Sequence, residues 1–138
     1  MQKIIVLILG TFFTTQAMFA QQIKAINKEV AEWTQAYQLD QSQQKIVKYL
    51  VEMKYFNFEE LESMKSNDAE LYERKRVNVE RQTTMGIKSV LNEDQLLIYA
   101  QKLEQKRNIL RQKIDEMKTR GAEKDAISKA ILELKTLQ

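Results

Sequence analysis

LNEDQLLIYAQKLEQKRNILRQKIDEMKTRG, residues 91–121, carries the most regular apolar repeat in the chain. Leu96, Ala100, Leu103, Leu110, Ile114 and Met117 alternate by four and three residues, with Arg107 as the single interruption. That is the period of a helix laying one stripe against a partner. Asn92 stands where a helix cap accepts a free backbone amide, and Gln95, three residues on, can reach back to the cap residue. Leu91 packs on the first turn with Leu96 as its staple partner, and Gly121 is placed to close the helix in a left-handed turn.

Outward from this stretch the chain reads as helix in both directions. Proline is absent, Gly86 and Gly121 are the only glycines beyond residue 20, and Ala, Leu, Glu, Lys, Gln and Arg, all good helix formers, dominate. LDQSQ at 39–43 repeats the Leu-cap-x-x-Gln pattern, so Leu39, Asp40 and Gln43 open a second helix as Leu91, Asn92 and Gln95 open the later one, although Gln44 then occupies the staple slot. Ahead of it, Ile23, Ile26, Val30, Trp33 and Tyr37 recur at helical spacing and predict a helix over 22–38, with Trp33 docking its stripe. The helix from Asp40 carries Ile46, Val47, Leu50, Val51 and Lys54 on neighbouring turns, widened by Tyr49, Tyr55 and Phe56. NFEE at 57–60 and NDAE at 67–70 have capping-box spacing and predict a short helix over 58–65, then a long one over 68–90. Gly86 in the long helix marks a bend or a close helix contact, and Ile127, Ala130, Ile131 and Leu134 predict a final amphipathic helix. The expected fold is all-α, four to five helices including one long one.

MQKIIVLILGTFFTTQAMFA, residues 1–20, has one positive charge, an apolar run from Ile4 to Phe13 and then small and polar residues, the layout of an export leader. Its apolar run is shorter than the roughly 18 residues a membrane span needs, so no stable anchor is expected. Cleavage after Ala20 would leave Gln21 first, while Ala17 offers a second place to cut; either way residues 21–138 are expected to form one helical domain. Without cysteine, lipid attachment through a terminal thiol and disulfide stapling are both excluded.

Of the 22 Lys and Arg, all but Lys3 lie beyond the leader and face 19 Asp and Glu, a net charge near +2 that lacks the bias of a nucleic-acid binder. With neither histidine nor cysteine, the commonest general base, metal ligand and thiol nucleophile are missing. Catalysis and a resident cofactor or metal are not expected. Met53, Met64, Met85 and Met117 are scattered and read as core filler. Arg74, Lys75, Arg76 and Arg81 form a basic patch on the long helix.

An exported, cysteine-free helical chain with LDQSQ and LNEDQ about fifty residues apart resembles the Spy/CpxP family of periplasmic proteins, whose signature is a paired Leu-Thr-x-x-Gln. The likeness covers residues 39–120, with Asp40 and Asn92 at the Thr position. It implies an extended helical hairpin in a curved antiparallel homodimer that holds unfolded or stressed envelope proteins without ATP, or an adaptor that restrains a stress sensor. Arg74, Arg76, Arg81 and Lys88 would then form the positive client-binding face and Tyr55, Phe56 and Ile87 the apolar one, the two motifs shaping the cradle. A module for one dedicated envelope partner and a metal-responsive relative are the competing readings.

Overall fold

The computed structural model describes the backbone of residues 2–137 and the side chains of residues 20–134 and 137. It is all-helical: α1 (Gln2–Tyr37), α2 (Gln41–Glu62), α3 (Ala69–Ser89), α4 (Glu93–Thr119) and α5 (Lys124–Thr136). The leader reading falls on residues 1–20, whose side chains apart from Ala20 lie outside the described ones. Among the described residues no helix is long and apolar enough to cross a membrane.

Two compact units divide the chain, Met1–Leu91 and Asn92–Gln138. In the first, α2 packs against both α1 and α3. Val47 and Val51 of α2 and Ile87 of α3 are fully buried, and Ile26, Tyr37, Leu39, Tyr72 and Leu91 complete a thin apolar core. Gly86 marks a close contact: a Cβ there would stand 3.2 Å from both terminal methyls of Leu50. In the second unit α5 packs on α4, and Leu110, Ile114 and Ala130 are its buried apolar residues. The heptad stripe of α4 is therefore covered toward its C-terminal end, while Leu96 and Leu97 near its start are exposed.

Three features differ from the sequence reading. No separate short helix exists over 58–65, because Asn57 lies inside α2, which continues to Glu62 with no Gly or Pro to stop it. There the Phe58 ring meets Tyr55 edge-on at 6.2 Å, which favours continuing the turn. The cap of α3 is Asp68 and not Asn67: its Oδ1 accepts from the Leu71 amide at 2.9 Å. On α1 the buried aromatic is Tyr37, with Trp33 half-buried against it, ring centroids 5.2 Å apart.

Two turns end helices by a left-handed residue. Gly121 has φ +69°, and the amides of Gly121 and Ala122 donate to the carbonyls of Lys118 and Met117 at 3.1 and 2.9 Å, a Schellman closure. Gln38 does the same for α1 at φ 51° without being glycine, its following amide, Leu39, donating to the Thr34 carbonyl at 3.2 Å.

Candidate functional site

The paired strings build two matching capping boxes. Asp40 Oδ1 accepts from the amides of Ser42 and Gln43 at 2.7 and 2.9 Å, and Gln43 Oε1 accepts from the Asp40 amide at 3.0 Å. Asn92 Oδ1 accepts from the Gln95 amide at 2.9 Å, and Gln95 Oε1 accepts from the Asn92 amide at 2.9 Å. Each box satisfies amides that the first helical turn leaves without partners. Leu39 and Leu91, just ahead of the caps, are buried, and so is Gln95. Leu96, by contrast, is more than a third exposed.

Gln43 also does what sequence spacing did not signal. Its Nε2 donates to the carbonyl of Val90, the C-cap residue of α3, at 2.8 Å. One amide thus caps the start of α2 with its oxygen and holds the end of α3 with its nitrogen.

A charged cluster sits inside the three-helix unit. Lys54, only 6% exposed, donates to both carboxylate oxygens of Glu29 on α1 at 2.6 Å, and Glu80 on α3 approaches it at 3.7 Å. Arg76 joins this network through Glu73 at 3.1 Å and Glu80 at 4.0 Å. The Lys54 ammonium lies 5.1 and 5.8 Å from the ring centroids of Tyr55 and Phe58. Burial pushes the Tyr55 phenol above its ordinary value, helped by the negative charge of Glu29 and a hydrogen bond to it. Sequence placed Lys54 in the apolar register of α2; the available signal was a lysine at a core position among helices rich in glutamate.

The expected binding residues separate by face. Arg74, Arg81 and Lys88 recur every seven residues along α3 and share one side of it, with exposed Val77 and Met85 between them. No acidic residue falls on that side between Arg74 and Lys88. Arg76 is on the other side, with Tyr72 and Thr83, tied to its two glutamates, so it does not belong to the outer basic face. Ile87, expected as an apolar surface contact, is fully buried, because the close approach at Gly86 turns it inward to the core. Tyr55 is half-buried at the Lys54 cluster.

Phe56 is 52% exposed and ends a stripe that sequence reading divided differently: Ile46, Tyr49, Met53 and Phe56, spaced three, four and three residues apart, are all exposed on α2. Ile46 and Met53 lie one turn either side of Leu50, so the stripe runs beside the seam where Leu50 meets Gly86. The signal in the sequence was the spacing, which fits a core-facing stripe equally well.

Among the described residues no group of three or more acidic side chains comes together as a metal site. The chain matches no family model, and no curated protein or solved structure is similar to it beyond chance.

Proposed function

We propose that the protein is an exported, ATP-independent chaperone or stress adaptor of the cell envelope, non-catalytic and without a cofactor, acting in the periplasm, or outside the cell where the envelope has no outer membrane. The observation that carries this reading is the pairing, in one three-helix unit, of the exposed apolar stripe Ile46–Tyr49–Met53–Phe56 with the basic face Arg74–Arg81–Lys88. Exposed apolar residues and one sign of charge carried on the same unit suit chains that display greasy and acidic segments together. The paired Leu-cap-x-x-Gln strings, with their likeness to the Spy/CpxP signature, support it further. In this reading Leu39, Asp40, Gln43, Leu91, Asn92 and Gln95 set helix starts and leave client contact to the α2 and α3 surfaces.

Light scattering of an unfolding model client, with the protein at stoichiometric amounts and no nucleotide, tests it. Suppressed aggregation is expected; unchanged aggregation with the protein folded overturns the proposal. A second reading, a module for one dedicated helical partner, draws on the three-four-three spacing of the α2 stripe, which is that of a helix-pairing seam. Pull-down from an envelope extract separates the two, a single stoichiometric partner favouring the module and a heterogeneous set the chaperone.

A further inference from the structure

The chemistry of the first residues after the leader carries an inference of its own. Cleavage after Ala20, on which this rests together with the export reading above, frees an α-amine on Gln21. Ala20 and Gln21 are exposed, and Ile26 is the first buried residue of α1 among those whose side chains are described, so Gln21 stands clear of the core.

A free ammonium is badly placed there. The start of a helix is its positive end, where added positive charge is unfavourable. Lys24 and Lys28 are exposed in the next two turns, and no acidic residue precedes Glu29. Glu29 is engaged by Lys54 at 2.6 Å, and Glu32 lies 3.8 Å from Lys28. The carboxylates of α1 nearest this end in sequence, Glu29 and Glu32, stand eight and eleven residues on.

We infer that Gln21 becomes a modification site after export, closing to N-terminal pyroglutamate. The α-nitrogen attacks Cδ of the Gln21 side chain, the carbon–nitrogen bond to Nε2 breaks, and Nε2 leaves as ammonia with the proton given up by the amine. The product is a neutral five-membered lactam. No oxidant, reductant or co-reactant is consumed, and an envelope cyclase would only accelerate the step. The helix loses a charge at the end where charge is unfavourable, and the chain becomes blocked to aminopeptidases.

Intact-mass and peptide mass spectrometry of the full chain, expressed with its leader and purified from the envelope fraction, tests this. A chain beginning at residue 21 and lighter by one ammonia, refractory to stepwise N-terminal degradation until treated with pyroglutamyl aminopeptidase, is the expected result. A chain beginning at Gln21 with a free amine overturns the cyclisation while leaving cleavage at Ala20 intact. A chain beginning at Met18, or still carrying the leader, overturns it through the cleavage on which it rests. The variant Gln21→Ala, exported in parallel, should keep its full mass and an open N-terminus; a blocked Gln21→Ala chain would show that the block arises elsewhere and sink the assignment.

Discussion

At the scale of the residue, the two Leu-cap-x-x-Gln strings divide into a common part and a particular one. The common part is the cap, and losing it carries its usual cost: Asn92→Ala should lower stability by about 1 kcal/mol in chemical denaturation. Protection of a client should fall only in step with that loss. Activity abolished at unchanged stability would instead mean that Asn92 touches the client. The particular part is Gln43, whose amide holds Asp40 and Val90 at once. Gln43→Glu keeps an oxygen for the Asp40 amide but sets a carboxylate against the Val90 carbonyl. It should cost about 1–3 kcal/mol, the penalty of an unmade and opposed hydrogen bond. The caps were legible in the sequence because a capping box lies within four consecutive residues. The bond from Gln43 to Val90 was not, because it spans 47 positions and depends on how α2 and α3 lie together.

At the scale of the element, α1 is fastened to α2 by a buried ion pair as well as by apolar contact. Removing one partner leaves the other charge buried and uncompensated, which ordinarily costs about 3–5 kcal/mol, whereas replacing the pair with apolar groups is often close to neutral. Glu29→Gln should therefore destabilise the first unit strongly, with Glu80 at 3.7 Å offsetting part of the loss. Glu29→Gln combined with Lys54→Met should recover most of it. A thermodynamic cycle of the two single variants and the double variant measures the coupling; a double variant as unstable as the sum of the singles would show that the pair acts independently. The α2–α3 seam offers a second probe. Gly86→Leu should cost about 1–3 kcal/mol by overpacking, since even a Cβ there stands 3.2 Å from Leu50. Circular dichroism melts would show it as a lowered midpoint. Helix count and type were readable from composition and period, and a close contact at Gly86 was one of two expected outcomes. The uninterrupted run of α2 past Asn57 was not readable, because an Asn three residues before a Glu describes a cap and a solvent-facing helical turn equally well.

At the scale of the whole molecule, the division of labour between faces is set by which helix packs on which. Ile87 and Phe56 were alike expected to contact a client, yet one is fully buried and the other half in solvent. Periodicity gives the angle of a residue around its helix and leaves open which angle the neighbouring helix will cover. The basic face was legible only in part: Arg74, Arg81 and Lys88 recur every seven residues and keep one side whatever the packing, whereas Arg76, expected with them, turns to Glu73 and Glu80. Reversing the two exposed charges, Arg74 and Arg81, to Glu should leave stability within about 0.5 kcal/mol, as exposed substitutions usually do. Protection of an acidic client should then drop several-fold at low salt, and the gap from the unaltered protein should narrow as salt screens the interaction. Aggregation kinetics at two ionic strengths would read both effects. Equal protection at low salt would remove the charged face from the mechanism and leave the α2 stripe alone.

The two hydrogen bonds of Gln43, one accepted and one donated, narrow what mutation can offer at that position. A single base change in a glutamine codon yields Lys, Glu, Leu, Pro, Arg, His or a stop. Of these replacements only histidine carries both a donor and an acceptor, on a shorter and rigid ring. Lys and Arg would keep a hand for Val90 and lose the one for Asp40; Glu would do the opposite; Leu and Pro would lose both. Every single-base replacement other than histidine therefore gives up at least one of the two hydrogen bonds that Gln43 makes to Asp40 and Val90.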